Sequence, residues 1–463
     1  MSGAAAPTEF VPRKRRWAEL GLLVLALALG IGAYAMVELT VNDRLPADLL
    51  RYGGELAALA LGAHLVVRLR APYADPVLLP AVFALNGLGL AMIHRIDLAR
   101  LASRGDTAST FAGPQLIWTV VGVALFAIVV IALVDHRRLA TYTYLFGALG
   151  LALLLLPLLP GLGVNINGSR IWIRLAGFSF QPGEIAKICL VIFFAGYLVV
   201  KRDALALAGR RFLGIDLPRG RDLGPILVAW VASLAVLVFQ RDLGSSLLFF
   251  GIFVVLLYVA TERAGWLAVG ILLFGGGAYA GYLAFGHVQD RVQGWLHPFS
   301  DPDAYYQIIQ SMYGLAWGGI LGRGWGQGRP ELIPYSWSDF IAAAMGEELG
   351  LAGLMAILCL YGIVVERGLR AALVSRDTFG KLMGVGLAVS LAIQVFVVVG
   401  GVTRLIPLTG LTTPFLSYGG SSLVANWMIV GLLLCISHEA REPVPAMSST
   451  VGADDATQVV AMR

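Results

Sequence analysis

Residues 17–38 read WAELGLLVLALALGIGAYAMVE, an apolar run whose only charges are Glu19 and Glu38, close to its two ends. A helix rises 1.5 Å per residue, so a stretch of this length crosses a hydrocarbon core about 30 Å thick. Comparable stretches recur at 48–67, 76–94, 115–134, 141–158, 184–200, 223–239, 244–260, 265–285, 340–365, 382–402 and 422–437, twelve in all. Of the 463 residues 58% are hydrophobic and 14% charged, against about a quarter charged in soluble domains, and mean hydropathy is +0.78. A β-barrel would need short alternating segments instead. The expected fold is therefore an all-α polytopic membrane protein with about 12 transmembrane helices. The polar hinge QRDLGSS (240–246) leaves eleven as the alternative, with one broken helix across it.

Charge sets the expected orientation. Arg13, Lys14, Arg15 and Arg16 precede the first stretch. Alternate connectors then carry Arg68 and Arg70; Arg137 and Arg138; Lys201, Arg202, Arg210, Arg211, Arg219 and Arg221; and Arg367, Arg370, Arg376 and Lys381. Twelve spans put all of these on one side, as the positive-inside rule requires, so both termini are expected in the cytoplasm. Residues 1–16 form a cytoplasmic tail and 17–437 the transmembrane domain. Within it a large extracytoplasmic loop (286–338) precedes the tenth helix, and a polar, disordered tail occupies 439–463. The first stretch is too long for a cleaved signal peptide and lacks a small-residue cleavage site. Orientation bias explains the net charge of +5 without a nucleic-acid partner.

Other chemistries are excluded by what the chain lacks. Cys189, Cys359 and Cys435 lie within apolar stretches and read as small buried hydrophobes. The six histidines have no ligand spacing, and there is no phosphate-binding loop for ATP. What remains are ionisable groups at membrane depth, which are costly in lipid and usually face a cavity. Glu184 and Lys187 sit three apart on one helical face, as a structural ion pair or as a cavity pair holding an anion. Arg241 and Asp242 mark a tight turn with a snorkelling arginine, or a helix break lining a cavity. Asp339 is placed to cap a helix that carries Glu347 and Glu348 inside its apolar run. Arg404 opens a passage through Ser417, Gly419 and Gly420 where the backbone can turn tightly or approach a ligand. In RVQGWLHPFSDPDAYYQIIQS (291–311), Asp301 either caps a short helix or serves function in a long outer loop.

Together NGSRIWI with FSFQPGEIAK (167–187), QRDLGSS, the 291–311 passage, GGILGRGWGQG (318–328), SDFIAAAMGEELG (338–350) and LIPLTGLTTPFLSYGGSSL (405–423) resemble the SEDS family, which includes RodA and FtsW. Motif order is kept from about 165 to 437, and pieces such as GGVTRLIPLTGLTTPF look most like RodA-type members of the actinobacterial branch. Two departures stand out: AYYQ follows the DP where relatives commonly have Gly-Tyr-Gln, and Trp337-Ser338 stand where a His-Thr often precedes the next motif. Many relatives have ten spans, so the region 17–140 carries two extra.

The resemblance implies a peptidoglycan glycosyltransferase that polymerises lipid II at the outer face of the cytoplasmic membrane during elongation and shape maintenance. Its essential loop aspartate falls at Asp301, as general base on the acceptor sugar 4-hydroxyl while undecaprenyl diphosphate leaves. The leaving charge calls for cations or a metal ion. Lys187, Arg241, Arg170 and Arg404 are the candidate cations, with Glu184 and Asp242 beside them. No cofactor is obligatory, and magnesium or manganese fits the chemistry. Trp295 and Tyr306 suit sugar faces or the membrane interface, and Gln307, Gln310, Asp339, Glu347, Ser417, Gly419 and Gly420 support the site. The resemblance also implies a class B penicillin-binding protein as a separate transpeptidase partner. A lipid II flippase is the alternative, but polar motifs gathered on one face suit it poorly.

Overall fold

All twelve predicted stretches are helical in the computed structural model, which describes residues 14–443 apart from 134, 167–168, 176–177, 207–209, 213–214 and 218–219. Arg13, Asn167 and Gly168, parts of the basic 201–221 connector and the tail beyond 443 lie outside the described residues. The helices are α1 (Arg16–Asn42), α2 (Leu49–Arg70), α3 (Leu78–Arg104), α4 (Ala112–Ala132), the single turn α5 (Arg138–Thr141), α6 (Thr143–Leu155), α7 (Pro182–Ala206), α8 (Gly220–Phe239), α9 (Leu243–Thr261), α10 (Gly265–Ala284), α11 (Gly286–Leu296), α12 (Tyr306–Gly318), α13 (Ile341–Val374), α14 (Thr378–Val402) and α15 (Gly420–Arg441). Among the described residues nine are long and apolar enough to cross a membrane. The other three predicted spans fall on α2, which carries four charged residues, and on the shorter apolar stretches Thr143–Leu158 and Leu227–Val236.

Local chemistry explains the breaks. Arg241 adopts a left-handed φ of 60°, and the Asp242 carboxylate accepts the Ser245 N–H at 2.9 Å, capping α9. This separates α8 from α9. Helix α13 is interrupted at Gly350, whose φ of 68° a side chain would strain. The broken turn is repaired by the chain after α12: Arg323 and Gly324 donate to the Glu347 and Glu348 carbonyls at 3.1 and 2.9 Å, and Leu351 donates to Gly319 at 2.9 Å. Irregular backbone at membrane depth survives only with such internal partners. Where α1 crosses α3, a methyl group on Gly30 would stand 2.9 Å from the Gly87 Cα, so glycine sets the close approach.

One connector departs from the sequence reading. Residues between α6 and α7 form an antiparallel sheet of β1 (Gly163–Ile166), β2 (Ser169–Leu175) and β3 (Phe178–Phe180), with Trp172 opposite Val164 and Arg174 opposite Ser179. The alternation in SRIWIRL carries that period-two signal. A short hairpin, β4 (Arg210–Phe212) with β5 (Ile215–Leu217), follows α7.

Opposite ends of the bundle differ in character. At the end holding the start of α1 and the close of α15, polar groups are locked together. Arg441 meets Asp75 at 2.7 Å, His136 bridges Asp377 at 2.9 Å and Glu439 at 2.6 Å, and Glu19 holds both Arg16 and, at 2.7 Å, His64. The other end gathers the sheet, the α8–α9 hinge, the long loop from α11 to α13 and the α14–α15 connector around an open space.

Candidate active site

That space is a cavity of about 690 Å³. Its polar lining comes from separate elements: Glu184 from α7, Asp242 from the hinge, Arg291 from α11 and Asp339 from the loop before α13. Aromatic walls are supplied by Trp118, Trp172, Tyr335, Trp337 and Tyr418, and Gly419 and Gly420 form part of the floor. A side chain at Gly420 would overlap the Trp118 ring, which explains glycine there. The floor is pinned: the Ser417 hydroxyl donates to the Ser338 carbonyl at 2.6 Å, Tyr418 N–H to the Trp337 carbonyl at 2.7 Å, and Gln115 Nε2 to the Ser417 carbonyl at 2.9 Å.

Charge in the cavity is dominated by carboxylates facing one arginine. Burial pushes the Asp339 carboxyl up to about 6, against the pull of its Ser338 hydrogen bond and of Arg291. Burial likewise raises Asp242, against the Ser245 hydrogen bonds and Arg291. It lowers Arg291, which Asp242 and Asp339 oppose. One Arg291 nitrogen donates to the Leu408 carbonyl at 2.6 Å, fixing the guanidinium beside Gly410. Beneath Glu184, Lys187 is enclosed with 1% of its side chain exposed. Its Nζ donates to Glu184 at 2.9 Å and to Gln394 Oε1 at 2.9 Å.

The structure sorts the predicted residues into groups. Glu184, Asp242, Asp339, Gly419 and Gly420 meet in the cavity, and Ser417 braces its floor. Asp339 is no helix cap: Phe340 holds that position without a side-chain bond, and the carboxylate faces the cavity instead. Of the predicted cations none lines it. Lys187 lies one layer below, Arg241 and Arg170 are exposed, and Arg404 is spent on the Trp295 carbonyl at 2.9 Å while Trp295 Nε1 returns a bond to the Arg404 carbonyl at 2.9 Å. Glu347 accepts the Arg329 N–H at 3.0 Å, a loop-fastening role. Asp301 is exposed; its Oδ1 accepts the Ala304 N–H at 3.1 Å, closing a turn ahead of α12. Tyr306 and Gln307 are exposed and Gln310 half-buried on α12, away from this lining.

Arg291 and Gln115 were missed by sequence reasoning. Arg291 opens the RVQGW passage, where a lone arginine between apolar segments was the available signal; Gln115 offered none beyond a polar residue at a helix start. The acids do not form a metal cage either. Among the described residues the only trio within ligand distance is Asp135, His136 and Glu439, at the far end, where His136 and Glu439 already pair.

The pattern of the FtsW, RodA and SpoVE family of cell cycle proteins matches residues 76–442, and the chain belongs to that family. It is a multi-pass protein of the cytoplasmic membrane. It is 53% identical over 432 residues to the peptidoglycan glycosyltransferase RodA of Mycobacterium tuberculosis, covering 93% of this chain and 92% of that one. To the stage V sporulation protein E of Bacillus subtilis it is 35% identical, covering 79% of this chain and 98% of that one. Among solved structures, one of a peptidoglycan synthase complex, described as coordinating polymerization and crosslinking, matches with a TM-score of 0.62 at 26% identity over 79% of this chain and 98% of its own. The Thermus thermophilus rod shape determining protein RodA matches with 0.56 at 25% identity over 80% and 98%. The family match begins at residue 76, after α1 and α2.

Proposed function

We propose that this chain polymerises lipid II into glycan strands at the outer face of the membrane, together with a separate class B transpeptidase. That it is a peptidoglycan glycosyltransferase of the RodA type follows from the family and from relatives half identical over nearly the whole chain. The observation that carries the finer reading is the cavity joining Glu184, Asp242, Asp339 and Arg291 under aromatic walls, at the end of the bundle away from the locked basic network. With the basic end cytoplasmic, the cavity faces outward, where lipid-linked disaccharide is presented.

Polymerisation needs a cation for the departing diphosphate, a base for the attacking hydroxyl and flat surfaces for sugars. Arg291 supplies a fixed guanidinium in the cavity, and Lys187 adds positive charge one layer beneath. Trp118, Trp172 and Trp337 offer ring faces. Diphosphate leaves without a proton, so one base suffices. Asp301 takes the sugar 4-hydroxyl proton from the surface loop, its Oδ2 making no hydrogen bond among the described residues. A second reading gives that proton to Asp339, because it faces the cavity and burial pushes its carboxyl up to about 6, closer to the operating pH at which a base works best.

Exchange across the membrane would need gates at both ends. Here the acidic and aromatic cavity lining gathers at one end of the bundle, which favours polymerisation over a flippase. The test is glycan ladder formation from fluorescent lipid II by the purified protein with its transpeptidase. Ladders lost in Asp301→Asn but kept in Asp339→Asn assign the base to the loop, and the reverse assigns it to the cavity. Labelled lipid II crossing vesicle membranes without polymer would overturn the polymerase.

A further inference from the structure

Behind Tyr335 and Trp337 lies a second cavity of about 390 Å³, which shares those two residues with the first as a common wall. It is lined by Arg100 and Arg104 from the outer end of α3, by Tyr306 and by Glu331. Arg100 is 7% exposed and lies against a stacked ring pair, 4.7 Å from the Phe111 centroid and 4.3 Å from that of Trp337. Among the described residues only one of its nitrogens is satisfied, by the Ser109 hydroxyl at 3.3 Å, and Nε and a terminal nitrogen are buried without a partner. The nearest acid in sequence is already occupied. Asp97 accepts the Phe111 and Ala112 N–H groups, each at 2.8 Å, fastening the start of α4.

A buried guanidinium fork with open donors is costly, and ring contacts hold it in place without satisfying those donors. The fork matches two oxygens of a carboxylate or a phosphate, which it would bind in two-pronged fashion. We infer that the Arg100 cavity is a second subsite for the lipid-linked substrate, binding one of its anionic groups, a stem-peptide carboxylate or a phosphate, while the reacting sugars occupy the first cavity. This rests on the polymerase reading. Arg104, exposed at the mouth, adds attraction for the same charge, and Glu331 partly offsets it.

Kinetics of the full chain with its transpeptidase separate the outcomes. Arg100→Gln should raise KM for lipid II roughly 10- to 100-fold, the worth of a lost charge-assisted hydrogen bond, with kcat within about twofold. Arg100→Lys should recover part of the loss, and Glu331→Gln should lower KM. If the effect of Arg100→Gln disappears on lipid II whose stem carboxylates are amidated, the anion is the peptide's. If it persists there and inhibition by undecaprenyl diphosphate weakens, the anion is the phosphate. An unchanged KM in a normally folded Arg100→Gln overturns the subsite. Should that variant not fold, exposed Arg104→Gln carries the test, and an unchanged KM there overturns it equally. Direct binding of a lipid-free disaccharide pentapeptide or of undecaprenyl diphosphate, lost in Arg100→Gln, supports the site even if no glycan forms. Absence of glycan from the wild type would instead count against the polymerase reading.

Discussion

Replacing Asp339 by asparagine should stabilise the protein at neutral pH. The carboxyl sits in the cavity wall, and burial lifts it from 3.8 to about 6 despite Ser338 and Arg291. At about 1.4 kcal/mol per pH unit, that displacement costs the fold up to ~3 kcal/mol once the group is ionised. The sign follows from linkage. Below 3.8 the acid is protonated in both folded and unfolded chains, so stability is fully present; it is lost as pH rises through about 6. Asparagine keeps the shape and removes the titration. The variant should therefore exceed wild type by up to ~3 kcal/mol at pH 7.5, a gap shrinking to roughly half at pH 5. Water entering the cavity solvates the carboxylate, which makes ~3 kcal/mol a ceiling. Denaturation of purified protein in detergent at both pH values reads the gap. If Asp339 is the base, ladder synthesis by wild type should rise with pH through about 6, and the variant should fall at least ~100-fold. A variant less stable than wild type at pH 7.5 would show that Arg291 overcompensates burial, and the reasoning would fail.

Three further perturbations have distinct outcomes. Asp301→Ala should abolish ladders while leaving the transpeptidase complex and the melting temperature intact, since the side chain makes one surface bond; ladders of normal length would remove it from the chemistry. Lys187→Ala should destabilise by about 3–5 kcal/mol, because it leaves Glu184 without its buried partner, and adding Glu184→Gln should restore folding in a melting experiment without restoring synthesis. Glu348→Ala should cost a similar ~3–5 kcal/mol by freeing Arg95, now held at 2.8 Å, and limited proteolysis should then cut the 319–329 loop.

Helices were legible in the sequence because their signal is local: a run of apolar residues long enough to span lipid needs no partner to be recognised. The cavity acids were legible for a related reason, since Glu184, Asp242 and Asp339 interrupt such runs. What they face was not. Lys187 and Arg404 both read as candidate cations in sequence, yet Gln394 and Trp295, more than a hundred residues away, engage them. In sequence Glu347 and Glu348 simply stand inside an apolar run, where at least one should face protein or water. Only the chain returning from α12 reveals that the helix breaks and that these acids fasten a loop. Such tertiary pairings have no signature within a window of one helix.

Helix α3 shows how α1 and α2 bear on the site. An apolar helix with a lipid-facing side cannot carry Asn86, His94, Arg95, Asp97 and Arg100 along its length without large cost. Here α1 covers α3 through the Gly30–Gly87 contact, and His94 meets Glu38 of α1 at 2.8 Å. With that face closed, Asn86 reaches Thr119, Arg95 reaches Glu348, and Asp97 holds the start of α4. These bonds place the α3–α4 connector, and with it Phe111, against Trp337, the residue that walls both cavities. The pair α1 and α2 thus acts on the outer face at second hand, by letting α3 be polar. Weakening it with Gly30→Leu should disturb the Arg100 subsite before the Arg291 cavity, raising KM for lipid II ahead of any fall in kcat. Equal losses in both would mean the pair steadies the whole bundle and has no bias toward the second cavity.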